Sequence, residues 1–425
     1  MGAEDTELAL PPLFLQRLRE AGGAAVADLL TRANTSEPGE PLEALAAAAY
    51  ARSWEKLHCG SWKSVLPVWR QAFGLASVLQ ASCLLRRQQS AECLEMLDVC
   101  LMMAGPLAPP QTHALIARVE RQLRNDEQLE AIEAPRFKRP RLAEAERVGD
   151  EVAAPQLAFP ARRLEMPTLE QFRRDVLLHD EPVVITGAME FWPALGRAAG
   201  PGRAWKDLRY LRRVAGRRTV PVEIGSSYLG DDWGQQLMTL NEFLDRYIAP
   251  SDKEVGAETT TCTPPEQPAA SRKLGYLAQH RLFDQIPALG RDIMTPDYCT
   301  VQRVEGAEGD EDEDITINSW FGPGGTVSPL HFDPKDNVLC QVVGAKYLRL
   351  YAPEESAKLY PIEGLLSNTS QVQVEDPDDE QFPEFRRAKY VECVLREGEM
   401  LYIPPKYWHY VRSLSTSFSV SFWWS

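Results

Sequence analysis

Two short stretches constrain this chain more than any other feature: Ser328–Asn337, SPLHFDPKDN, and Ile403–Val411, IPPKYWHYV. The first carries His331 and Asp333; the second carries His409, 409 − 331 = 78 positions further on. Two imidazoles and one carboxylate form the ligand set that holds non-haem Fe(II) and leaves coordination positions open. On a strand, alternate side chains share a face, so His331 and Asp333 are expected to point together and Phe332 away. His409 must then come from a second strand folded alongside. An H-x-D tripeptide alone is weak, but the chain has only six histidines and two of them stand in these motifs. The flanks read as paired strands. Val338–Val343 and Lys346–Tyr351 flank a turn at Gly344-Ala345, and YVECVLREGEMLYIPP turns at Glu397-Gly398.

The first 133 residues read differently. Leu13, Phe14 and Leu18, then Val26, Leu29 and Leu30, recur at helical spacing around a break at Gly22-Gly23. Further stripes follow at Leu42–Leu57, Val65–Ala76, Leu94–Leu101 and Leu115–Leu123, the last with Thr112 available as a cap. This predicts a small helical bundle or solenoid, residues 1–133, whose stripes serve as core and whose use is as an interaction module. Residues 134–163, charged and Pro-containing, read as a linker. The basic run Arg136–Arg141 within it is either a nuclear-import signal or a solvated patch. From 164 to 425 the pattern is strand-rich. Leu240–Ile248 reads as an amphipathic helix, 251–272 as a loop, and 305–314 as an acidic solvated loop. The last strand alternates Phe418, Val420 and Phe422 against Ser417, Ser419 and Ser421, the pattern of a half-buried antiparallel sheet. The fold class expected is α+β: helices first, then a double-stranded β-helix, or jelly roll.

Charge and cysteine usage narrow the partners. With 46 basic and 61 acidic residues the net charge is −15, which argues against nucleic-acid binding and suits either a basic peptide as partner or simply a solvated acidic surface. None of the eight cysteines forms C-x-x-C or zinc spacing, so reduced thiols are expected. No signal peptide and no membrane span are expected.

The segments EPVVITGAMEFWPAL, RTVPVEIG, INSWFGPGGTVSPLHFDPKDN, GAKYLRLY and GEMLYIPPKYWHYV, in this order, resemble the JmjC family of Fe(II)- and 2-oxoglutarate-dependent oxygenases over about residues 167–425. The resemblance implies a jelly roll with iron on His331, Asp333 and His409. It implies 2-oxoglutarate held by Lys346, Tyr276, Ser328 and Asn337, with O2 as the other co-substrate. Around the substrate it implies Glu223, Gln279, Trp320 and Trp423. Most of these have a plain alternative: Lys346 as a surface lysine on an amphipathic strand, Tyr276 and the two tryptophans as core, Ser328 as a capping or turn hydroxyl, Asn337 as a turn residue, Glu223 as a surface carboxylate. Phe332 stands where close relatives carry Gln, which bears on packing and not on the triad.

Two activities suit the resemblance: C3-hydroxylation of arginyl residues in proteins, expected first, and N-methyl-lysine demethylation of histones. A non-catalytic binding module is a third reading, against which the intact triad and Lys346 argue. The sequence ends at Ser425 without the C-terminal helices some relatives carry, so a monomer is expected, in the nucleus or also the cytoplasm.

Overall fold

A computed structural model describes residues 8–36, 40–60, 64–133, 148, 155–197, 201–225, 233–249, 273–303 and 315–425. The basic run 136–141, the loop 251–272 and the acidic run 305–314 lie outside the described residues. The chain forms two compact units, one helical and built chiefly from residues 8–133, the other strand-rich and running to Ser425.

In the helical unit, α1 (Pro12–Glu20), α2 (Ala24–Thr35), α3 (Glu40–Leu57), α4 (Pro67–Arg86), α5 (Ser90–Ala104) and α6 (Gln111–Glu133) pack as consecutive neighbours. Proline opens α1 and α4, where its missing N–H costs nothing. Gly22, at φ 83°, separates α1 from α2 as expected. The apolar stripes meet in one core through Leu18, Leu30, Phe73, Leu97 and Val119. Thr112 is not a cap in the expected sense: it lies inside α6, and its hydroxyl donates back to the Pro109 carbonyl at 2.7 Å. Among the described residues no helix is long and apolar enough to cross a membrane.

The second unit contains thirteen described strands. They are β1 (Arg162–Glu165), β2 (Val183–Thr186), β3 (Thr219–Gly225), β4 (Gly234–Thr239), β5 (Leu274–His280), β6 (Thr316–Gly322) and β7 (Val327–His331). Then come β8 (Asp336–Val343), β9 (Ala345–Tyr351), β10 (Tyr390–Arg396), β11 (Met400–Ile403), β12 (Trp408–Ser413) and β13 (Ser417–Trp424). One sheet has the order β1-β2-β11-β8-β13-β6-β5-β3-β4, the other β10-β9-β12-β7. These are the two faces of a jelly roll.

This topology corrects four expectations. β8 and β9 are not a hairpin, nor are β10 and β11: each pair changes sheet at its turn, Gly344 at φ 72° and Gly398 at φ 91°. The chain turns the barrel corner there, so β9 pairs with β10 and β12, and β11 with β2 and β8. The serine face of β13 is not exposed. Phe418, Val420 and Phe422 enter the outer core with Trp192 and Trp205, and Ser417, Ser419 and Ser421 are buried on the other face. There Ser419 donates to Gln341 Oε1 at 2.7 Å, and Gln341 Nε2 donates to Ser417 Oγ at 3.0 Å. The polar half of the alternation faces the barrel interior because helices and loops cover the apolar half. Leu240–Ile248 is not one regular helix: an α-turn to Phe243, closed by a Thr239–Glu242 capping box, gives way to a π-turn. Asp333 lies past the end of β7 and not on it.

Gly344 permits a test of the corner. A Cβ there would overlap the Thr416 carbonyl and Ser415 Oγ, in a backbone conformation L-residues avoid. Such strain alone costs about 1–3 kcal/mol. Gly344→Ala is therefore expected to lower the melting temperature of the strand-rich unit by at least roughly 4 °C, measured by circular dichroism. An unchanged melt would show that the corner yields.

Candidate active site

β7 and β12 run antiparallel with His331 directly opposite His409, and the rings stand 4.3 Å apart. Asp333 follows two residues on, its carbonyl accepting from the Lys406 N–H at 2.7 Å, which ties its loop to the approach to β12. Ligand atoms of the three side chains all lie within 4.8 Å of one another, with His409 Nε2 3.6 Å from Asp333 Oδ2. His331 Nδ1 faces the Pro329 carbonyl at 2.7 Å and His409 Nδ1 the Tyr407 carbonyl at 3.0 Å. A carbonyl can only accept, so these contacts assign the proton to Nδ1 and leave each Nε2 lone pair for a metal. Burial, aided by His331, pushes the His409 pKa below its ordinary range and keeps it in the neutral, ligating form. The donor set therefore fits a divalent first-row metal. Phe332 points away, as expected, and packs edge-on against Trp408 at 4.8 Å.

The triad opens on a cavity that is partly open to solvent. Lys346, on β9, projects into it and is only 2% exposed. Its Nζ donates to the Tyr276 hydroxyl at 3.1 Å, and no acidic side chain is paired with it among the described residues. Burial lowers its pKa to about 7. Desolvation raises the pKa of Tyr276, which also bonds Ser328. Ser328 and Asn337 line the same space, and Asn337 Oδ1 is buried without a partner. An ammonium without a carboxylate, beside hydroxyls and an unsatisfied amide, is suited to an acidic ligand. Trp320 completes the wall, its Nε1–H donating to Ser421 Oγ at 2.9 Å.

Glu223, Gln279 and Trp423 do not line this cavity. Glu223 sits on β3 directly opposite Tyr276 on β5, half-buried. Desolvation raises its carboxyl pKa to about 7, opposed by a hydrogen bond from Trp233. Gln279 is exposed at φ 47°, inside the β5–β6 register shift between Leu277 and His280. Trp423 pairs in register with Asn337, and its indole nitrogen is buried without a partner. Leu339, Ile403, Val411 and Ser421 line the cavity and were not anticipated. Ser421 was legible in the β13 alternation once the serines were assigned to the barrel interior.

The cupin-like domain family matches residues 169–425, and the family of KDM8-like N-terminal ARM repeats matches residues 5–133. Lysine-specific demethylase 8 of Danio rerio is 43% identical, over 88% of this chain and 85% of its own length. The chain belongs to the JmjC branch of the cupin-like family. It is a 2-oxoglutarate-dependent oxygenase, with a helical ARM-type region ahead of the JmjC domain. Lysine-specific demethylase JMJ30 of Arabidopsis thaliana is 40% identical, over 97% of this chain and 92% of its own. Jumonji C domain-containing protein 5 of Drosophila melanogaster is 36% identical, over 89% and 86%. JmjC oxygenases use Fe(II) and 2-oxoglutarate, and the His331, Asp333, His409 cluster is compatible with that iron.

Proposed function

We propose that this oxygenase oxidises a basic side chain of a protein substrate. In this reading His331, Asp333 and His409 hold Fe(II), while Lys346, Tyr276, Ser328 and Asn337 hold 2-oxoglutarate. The observation that carries it is the buried, carboxylate-free Lys346 in the same cavity as the triad. When bound, the iron and 2-oxoglutarate would supply, with O2, the oxidation of a C–H bond: one oxygen atom of O2 goes to the substrate carbon and the other to the succinate formed as 2-oxoglutarate loses CO2. The protein orients the substrate and keeps bulk water out.

N-methyl-lysine demethylation is the substrate reading best supported by relatives, since the proteins of Danio rerio and Arabidopsis thaliana are named lysine-specific demethylases. Hydroxylation of the N-methyl carbon there releases formaldehyde and leaves N–H. This reading points to histone tails as partners and to the nucleus. Glu223 favours the second reading, C3-hydroxylation of an arginyl residue. A half-buried carboxylate opposite Tyr276 can pair bidentately with a guanidinium.

Mass spectrometry separates the two on arginine-containing and methyl-lysine-containing peptides incubated with Fe(II) and 2-oxoglutarate. Loss of methyl groups is the expected result for a demethylase, and a gained oxygen on arginine for a hydroxylase. If neither changes while succinate forms, both substrate readings fail. Glu223→Ala is expected to reduce peptide oxidation at least about tenfold, the worth of one charged hydrogen bond, while sparing peptide-independent 2-oxoglutarate turnover. Equal losses in both would remove Glu223 from the substrate site.

A further inference from the structure

Trp233 is a feature the sequence reading passed over. It stands immediately before β4, the residue 38% exposed, and its side chain bonds the Glu223 carboxylate. The local backbone is arranged for this. A Cβ built on Gly225, at the end of β3, would stand 3.0 Å from the Trp233 Cα, so the two chain segments approach closely there and a side chain would press them apart by a few tenths of an ångström. Glu223 is two residues earlier on the same strand, opposite Tyr276. Tyr276 in turn lines the cavity with Trp320, the ring centres 6.3 Å apart. Trp233, Glu223 and Tyr276 thus form a continuous line from solvent to the cavity.

An indole N–H given to one carboxylate oxygen has two consequences. It fixes the orientation of the carboxylate while leaving its other lone pairs for a ligand. It also favours the ionised form against the desolvation that burial imposes. The exposed indole adds an aromatic surface beside that charge, which attracts cations. We propose that Trp233 is a positioning residue for the cationic side chain of the substrate, acting by orienting Glu223 at the entrance to the cavity. This rests on the reading of Glu223 as the cation's anchor.

Binding tests it without turnover, using the full chain with Mn(II) in place of iron and 2-oxoglutarate present. The probes are two fluorescent peptides of glycine and serine, one with a single central arginine and one with a single central Nε-dimethyl-lysine. Fluorescence anisotropy gives their Kd. Trp233→Phe keeps an aromatic ring and removes the donor. It is expected to weaken the tighter peptide about tenfold or more, the worth of one hydrogen bond to a charged group, with the 2-oxoglutarate Kd and the melting temperature unchanged. Gly225→Ala, which displaces Trp233 without touching its chemistry, is expected to act in the same direction. Glu223→Gln runs in parallel. If Glu223→Gln weakens the peptide and Trp233→Phe does not, the role of Trp233 is overturned while the anchor stands. If neither variant matters, or neither peptide binds the unaltered protein saturably, the anchor fails and takes the proposal with it. If Trp233→Phe weakens peptide and 2-oxoglutarate alike, Trp233 is structural and the proposal is overturned.

Discussion

Replacing His331 by alanine is expected to abolish 2-oxoglutarate turnover and metal binding while the protein stays folded. Removing a group that merely orients a metal ligand already costs about 10–100-fold in affinity or activity, and loss of a ligand costs more. Asp333→Ala is expected to behave alike, because the remaining pair of imidazoles cannot supply the carboxylate that completes the set. Stability should hold in both. The His331 ring hydrogen-bonds the Pro329 carbonyl on its own edge strand β7, and Asp333 lies in the loop beyond that strand. The Asp333 tie to Lys406 runs through its backbone carbonyl and survives truncation of the side chain. Manganese binding followed by electron paramagnetic resonance, with a thermal melt alongside, reads both halves. Retained turnover in either variant would refute the triad. A collapsed melt with lost turnover would show instead that the side chain supports the fold.

That triad was legible because two of only six histidines stand in its two motifs, one of them two residues from Asp333, and the structure brings those histidines together where β7 and β12 meet in register. The helical stripes were legible for a related reason: Leu18, Leu30, Phe73 and Leu97 repeat at the period of one element and need no partner to be recognised. What local pattern could not specify was pairing. A strand, a glycine turn and a second strand at Val338–Tyr351 look alike whether the chain folds back on the same sheet or crosses to the other. The left-handed Gly344 suits either outcome. Ser417, Ser419 and Ser421 failed for the same reason. Alternation establishes that two faces differ, not which of them meets solvent, and in a barrel sheathed by helices neither does. Glu223 and Trp233 come together where the chain at Gly225 runs close against Trp233, and no spacing rule encodes that approach.

Lys346→Met is the second large effect expected. The variant should raise the 2-oxoglutarate concentration needed for half-maximal turnover by roughly 10–100-fold, since a hydrogen bond to a charged group contributes about 1.5–3 kcal/mol and a stranded carboxylate costs more. The same substitution should stabilise the protein free of co-substrate, and the pH dependence identifies the cause. Burial lowers the folded-state pKa of Lys346 from 10.5 to about 7. Between those values the unfolded chain holds a proton that the folded chain has released, so folding stability rises with pH across that window. The penalty for burying the ammonium is full below about pH 7 and fades towards 10.5. Melting temperatures of Lys346→Met and the unaltered protein should therefore differ most near neutrality and below, and converge as the solution becomes alkaline. Co-substrate binding runs the other way. A carboxylate arriving at Lys346 restores the partner that burial denied it, so binding draws in a proton above pH 7 and weakens as pH rises further. A half-saturation concentration unmoved by the substitution would remove Lys346 from the co-substrate pocket. A stability difference independent of pH would show that the lysine is held by packing and not by its charge.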